Sequence, residues 1–329
     1  MFSSLLVGGG SRYKRAARWV DGSGTGRTED RWMRKMTTQD DILSGLRGQI
    51  DGIDDALHDL ILQRAALVAR IRDAKDASDP VFFRPGREVL ILRRLLSRHE
   101  GILPPGVIVR MWREMISAFV SLQGPFAVAV SDGEDGAYWD IARDHFGSGA
   151  SMKRHATPRG VVQAVADGSA TVGVVSVPHP GEEQPWWLLF GLGAARVRIC
   201  ARLPFLGGGN SRGGSLGALV LATGPLEETG EDRSFIMIEC AEALSRSRLT
   251  DAVVKSGFKH HIFVEGGGAA AIDGRVRYLV EVDGFIADDH NILTTLVEGE
   301  ELVETARVVG AYAIPPGIRW DGSAACGGR

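Results

Sequence analysis

From Thr37 onward the apolar positions Leu43, Leu46, Ile50, Ile53, Leu57, Leu60, Leu67, Ile71 and Ala74 step by threes and fours, with Asp, Arg and Gln between them. This spacing predicts a long amphipathic helix. Thr38 or Asp40 can serve as its N-cap, and no proline intervenes before Pro80, so the helix is expected to end near residue 77. That is about 35 to 40 residues, or roughly 55 Å at 1.5 Å per residue. A stripe of that length needs partner helices. Two follow, REVLILRRLLSRH at 87–99 and VIVRMWREMISAFVSLQ at 107–123, separated by the breaker LPPG. One long helix and two shorter ones predict an all-α three-helix domain over 37–124 that forms an intertwined dimer.

After Gln123 the texture changes. FAVAV and ATVGVVSV read as buried strands, while SDGEDGAYWDIARDHF and TPRGVVQAVADG read as turn-and-helix segments. That alternation predicts an α/β domain over 125–223, closed by the strand LGALVLA. The stretch FIMIECAEALSRSRLTDAVVKSGF, then RVRYLVEVDGFIADDHNILTTLVE and ARVVGAYAIP, predicts a β-α-β-β-α-β, ferredoxin-like α+β module over 224–316. Residues 317–329 form a loose tail. The first 36 residues, rich in Gly, Ser and Arg and without a sustained period, are expected to be disordered. Their apolar run FSSLLV precedes the basic cluster, the reverse of an export signal, and Met36 can be the true start.

Composition narrows the function. The 329 residues carry a formal charge of −3, from 38 basic and 41 acidic side chains, which provides no global field for nucleic acid or an anionic membrane. No run of about 18 apolar residues is present to cross a bilayer. Cys200, Cys240 and Cys326 are far apart and show no metal-ligand spacing, which fits a reducing cytoplasm and predicts no metal site. His260 and His261, at a strand start, read as structural rather than as metal ligands.

The informative position is Arg64, which stands in the apolar stripe where the pattern asks for Leu or Ile. No acid lies three or four positions away on that face, so an anion must reach it from outside the helix. Lys75, eleven residues on, falls within about 20° of Arg64 and about 16 Å along the axis, so two cations line one groove. Arg47, seventeen residues before, is about 100° away and can point toward a second copy of the chain.

These segments resemble the all-helical chorismate mutases. The matching motifs are LRGQIDGID (46–54), LILQRAAL (60–67), Lys75, FFRPGREVLILRRL (82–95) and MISAFVSLQ (115–123). The resemblance covers about residues 40–123, and it implies the rearrangement of chorismate to prephenate. That substrate is a dicarboxylate enol ether whose intramolecular reaction needs positioning and charge stabilisation but no nucleophile, metal or redox cofactor. Arg64, and Arg47 from a partner subunit, would clamp the carboxylates with forked guanidinium donors. Lys75 and Gln123 would donate to the ether oxygen. Glu88 would accept from the ring hydroxyl, with Arg87 beside it. Two positions depart from the family pattern: Arg84 stands where some members carry Asp, and Phe119 where some carry Ser.

In fused members of that family the mutase precedes a periplasmic-binding-like prephenate dehydratase domain and an ACT regulatory domain, and the remainder of this chain resembles a worn copy of both. Ala137 stands where the dehydratase motif has a hydroxyl. GVVSVPHP lacks the expected Glu and Asn, and Leu216, Gly217 and Ala218 replace the Thr-Arg-Phe motif, with Ser211 and Arg212 as a displaced substitute. Glu242-Ala243-Leu244 and HIFVEGG replace the two ACT effector motifs. The resemblance thus implies a chorismate mutase with a non-catalytic C-terminal region. The alternatives are a bifunctional mutase-dehydratase, an isochorismate-pyruvate lyase, and a non-enzymatic regulator responsive to aromatic amino acids.

Overall fold

The computed structural model describes residues 26–75, 82–133, 136–182, 184–191, 196–206, 216–266 and 275–316. The expectations for residues 1–25, for Ser211 and Arg212 and for the tail at 317–329 lie outside the described residues. The chain divides into two compact units, residues 1–64 and 65–329. Among the described residues no helix is long and apolar enough to cross a membrane.

Helix α1 (Gly26–Ala74) has 49 residues. It begins well before the predicted caps Thr38 and Asp40, so residues 26–36, expected to be disordered, are helical. Their sequence GRTEDRWMRKM contains no proline and several good helix formers, and a helix already nucleated extends through such residues without an apolar stripe. Within the first unit that stripe is uncovered: Leu46, Ile50, Ile53, Leu57 and Leu60 keep 49%, 56%, 59%, 48% and 59% of their surface exposed.

The second unit contains α2 (Pro85–Ser97) and α3 (Pro105–Gln123), each opened by proline in its first turn, where no N–H partner is needed. On α2 the buried positions are Gly86, Glu88, Val89 and Leu92; on α3 they are Val109, Arg113, Ile116, Ser117, Phe119 and Val120. Both helices pack on a sheet. Val89, Leu92 and Val109 meet Phe205 and Ala313, while Ile116 and Val120 join Val128, Val130 and Phe146. α2 and α3 thus share cores with elements that follow Gln123. The division falls inside α1 at Arg64.

The predicted strands are present as β1 (Ala127–Ser131), β3 (Val172–Ser176) and β5 (Ala218–Ala222). Between them lie α4 (Ala137–Phe146), β2 (Ser151–His155), α5 (Pro158–Ala166), a 3-10 turn (Trp186–Gly191) and β4 (Arg198–Leu203). The C-terminal elements are β6 (Asp232–Ala241), α6 (Arg246–Lys255), β7 (His260–Glu265), β8 (Arg275–Asp283), α7 (Asn291–Gly299) and β9 (Val303–Ala313). Among the described residues nine strands form a mixed sheet in the order β2-β1-β3-β5-β4-β9-β6-β8-β7. β2, β1 and β3 are parallel, β5 runs antiparallel to β3 and β4, and the β9-β6-β8-β7 pairs are all antiparallel, the ferredoxin-like arrangement.

The sheet does not break at residue 223, where separate domains were expected. β4 pairs parallel with β9 at Ile199 and Gly310, and a Cβ at Gly310 would lie 2.5 Å from the Ile199 carbonyl oxygen. Glycine is what lets those strands close. One core spans the join: Trp186, Trp187, Phe190 and Leu219 pack with Phe235, Met237, Leu279 and Val309.

Candidate active site

Arg47 is exposed on α1, and Arg64 is half-buried on the same helix. Lys75 follows the last turn, its backbone amide donating to the Ile71 and Arg72 carbonyls at 3.1 and 3.2 Å. Its Nζ stands 5.1 Å from the centroid of the Phe82 ring, a cation–π contact. Phe82 in turn lies against Gly124, where a Cβ would come within 2.5 Å of the ring. Arg72 donates from Nη1 to the Leu122 carbonyl at 3.3 Å. Lys75 and the Gln123 end of α3 thus share one neighbourhood. The Gln123 amide donates back to the Phe119 carbonyl at 3.2 Å, and a cavity of about 260 Å³ opens beside it, walled by Phe82, Phe83, Val120 and Phe126.

Glu88 is paired with a cation of its own chain. Its Oε2 accepts from Arg113 Nη1 at 2.7 Å, and the two residues are only 8% and 3% exposed. Burial pushes the Glu88 carboxyl above its ordinary range, opposed by the Arg113 charge. Burial likewise pushes Arg113 down, opposed by Glu88. The Arg113 guanidinium also stacks 4.6 Å from the Phe205 ring centroid. Beside the pair, the buried His145 ring stands edge-on to Phe146 at 4.7 Å. Burial, and then the Arg113 charge, hold the His145 pKa well below the usual imidazole value, so it is neutral. Glu88 and Arg113 share the walls Phe83, Val120 and Phe126 with the cavity beside Gly124.

The remaining candidates on α2 meet a carboxylate of their own chain. Arg84 donates from Nη1 to Glu227 Oε1 at 3.2 Å, and the Arg87 backbone N–H donates to Glu227 Oε2 at 3.3 Å, while the Arg87 side chain is exposed. Phe119, in place of a serine, is buried in α3. The structure therefore sets Lys75 on the Phe82 ring, which packs against Gly124 next to Gln123, and ties the Arg84 side chain to Glu227 and the Glu88 carboxylate to Arg113.

Arg113, His145 and Glu227 were not singled out in the sequence. Arg113 was findable: it continues the stripe 109, 113, 116, 120, the same signal that marked Arg64. Glu227 carried no signal, because its partner lies 143 positions away.

Farther along, Ala137 is buried at the start of α4, and Ala218 opens β5 with its side chain in the core. Leu244 is buried in the turn after β6. His260 lies opposite Val282 in the β7–β8 register, 5.9 Å edge-on from the Phe263 ring. A larger cavity, about 490 Å³, is lined by Arg196, Arg198, residues 223–226 and residues 285–288, with Arg198 forked onto Asp288 at 2.8 Å for both bonds.

Residues 46–124 match the family model described as chorismate mutase type II. That range contains all seven candidate residues. The bifunctional chorismate mutase/prephenate dehydratase of Stutzerimonas stutzeri is 33% identical over 147 residues, covering 43% of this chain and 40% of that protein. The chain thus spans about two fifths of the length of that curated relative. Among solved structures, one described as "GqqA- a novel type of quorum quenching acylases" superposes with a TM-score of 0.45 at 16% identity, over 59% of this chain and 98% of that one. The prephenate dehydratase from Streptococcus mutans superposes with a TM-score of 0.41 at 12% identity, over 57% and 97%.

Proposed function

We propose that the helical region converts chorismate to prephenate in a reducing cytoplasm, acting as a homodimer in which Arg47 of one copy reaches the site of the other. The observation that carries this reading is the family match over 46–124, which contains Arg47, Arg64, Lys75, Arg84, Arg87, Glu88 and Gln123. The uncovered stripe of α1 supports the second copy, since half-exposed Leu and Ile over several turns need an apolar partner.

The chemistry assigns roles by residue type. Two guanidinium groups, Arg64 and the partner subunit's Arg47, hold the substrate's carboxylates and fold it into the reactive chair. Lys75 and Gln123 donate to the ether oxygen, where negative charge grows as the C–O bond breaks. The Phe82 ring, already under the Lys75 ammonium, keeps that cation on one side of the pocket. Glu88 accepts from the ring hydroxyl once it is released from Arg113. No step needs a metal or redox group.

In this reading the residues after Gln123 form a non-catalytic, dehydratase-like lobe with an ACT-type module. Its support is the absence of a hydroxyl at Ala137 and at Leu216–Ala218. A second reading, a non-enzymatic regulator on a mutase fold, draws on the commitment of Glu88 to Arg113. Purified full-length chain incubated with chorismate separates the possibilities. Prephenate alone is expected; phenylpyruvate would mark a bifunctional enzyme, and no turnover would favour the regulator.

A further inference from the structure

Three candidates for the substrate stand at the start of α2: the Arg84 side chain and the Arg87 backbone N–H are tied to Glu227, and the Glu88 side chain to Arg113. Glu227 contributes a carboxylate to the helix N-terminus, its two oxygens taking the Arg84 side chain and the Arg87 N–H. The fit is close, since a Cβ on Gly86 would meet the Glu227 Cβ at 2.7 Å and its Oε2 at 2.9 Å. A helix N-terminus with an arginine beside it suits a substrate carboxylate equally well. Glu227 is therefore placed as an internal competitor.

The segment that carries Glu227 is built rather than loose. Asp232 accepts from the Thr229 and Gly230 amides at 2.7 and 2.9 Å and from the Thr229 hydroxyl at 2.6 Å. Gly230 takes φ +89°, a conformation open to glycine. Arg93, two turns along α2 from Arg87, clamps this turn. It donates to the Thr229 carbonyl and hydroxyl at 3.2 and 3.0 Å, to the Glu231 carbonyl at 2.9 Å and to the Ile314 carbonyl at 2.8 Å. Immediately before Glu227, residues 223–226 wall the cavity of about 490 Å³.

We infer that residues 226–231 are an autoinhibitory clamp on α2: Glu227 occupies the turn that would receive a substrate carboxylate, holding the Arg84 side chain and the Arg87 N–H. The inference rests on the mutase reading of the helical region. Loss of the Glu227 contacts frees the first turn of α2 for a substrate carboxylate.

The test compares full-length wild type with Glu227→Gln, which keeps the side-chain shape and removes the charge. kcat/KM for chorismate is measured, and hydrogen exchange of the α2 amides is followed without substrate. The expected result is a rise in kcat/KM of about threefold to tenfold, as befits the loss of one half-exposed charge-assisted contact, with faster exchange at residues 86–89. Equal kcat/KM in the two proteins overturns the clamp and leaves the mutase reading intact. Unchanged exchange at α2 also overturns it, whatever the kinetics. Faster exchange with no chorismate turnover in either protein refutes the mutase reading, and with it the inhibitory role.

Discussion

Replacing Ile53 by alanine isolates the part of the account that needs a second copy. Ile53 sits mid-stripe on α1 and keeps 59% of its surface exposed. Complete burial of an isoleucine is worth about 1.5–3 kcal/mol, so covering the exposed three fifths contributes about 1.3 kcal/mol per copy. Alanine retains one methyl group, which leaves a loss of about 1 kcal/mol per copy and about 2 kcal/mol for a twofold dimer. At 1.4 kcal/mol per decade, the dimer dissociation constant should rise by about thirtyfold. The substitution is clean because alanine has the higher helix propensity, so a lone α1 gains rather than loses local stability. Sedimentation velocity over a concentration series reads the constant directly. A dissociation constant unchanged within about twofold would refute the covered stripe, and a wild-type chain that stays monomeric throughout would refute the dimer.

Two further outcomes follow from the Glu88–Arg113–His145 cluster. Glu88→Gln strands a buried guanidinium and should cost about 3–5 kcal/mol in urea unfolding, whereas Glu88→Gln with Arg113→Met should recover most of it; equal losses in single and double variants would show that the pair is not coupled. His145 is neutral when folded and takes a proton near pH 6.5 when unfolded, so the unfolded state binds more protons below that pH. Stability should therefore fall as pH drops below about 6.5, by at most about 1.4 kcal/mol per pH unit, and His145→Phe should remove this limb. The raised Glu88 carboxyl has the opposite sign, contributing stability that declines as pH rises through its folded value, so the wild-type minus His145→Phe difference is the quantity to compare. An unchanged slope in that variant would contradict a buried neutral imidazole.

Much of the fold was legible where one face of an element repeats. The stripes of α1 and α3, the apolar runs of β1, β3 and β5, and the β-α-β-β-α-β order all follow from local periodicity. The edge strand β2 was not legible, because SMKRH is largely exposed and shows no alternation. β4 was obscured by the register shift between Ile199 and Ala201, which breaks its period of two. The start of α1 was missed because helix propagation needs no apolar pattern. The candidate residues were legible as types at fixed spacings, yet their grouping was not. The setting of α2 depends on Arg113, Glu227 and Arg93, and those contacts are made between positions far apart in the chain. Likewise the single sheet across residue 223 depends on Gly310 meeting Ile199, which no local pattern announces.

The central claim is that Lys75 donates to the breaking ether bond of chorismate. Full-length wild type and Lys75→Ala, given chorismate under the same conditions, should differ in prephenate formation by at least about a hundredfold in kcat, since removing one preorganised donor costs about two to three decades. Equal rates in the two proteins, or no prephenate from wild type or from a variant freed of its Glu227 carboxylate, would contradict it.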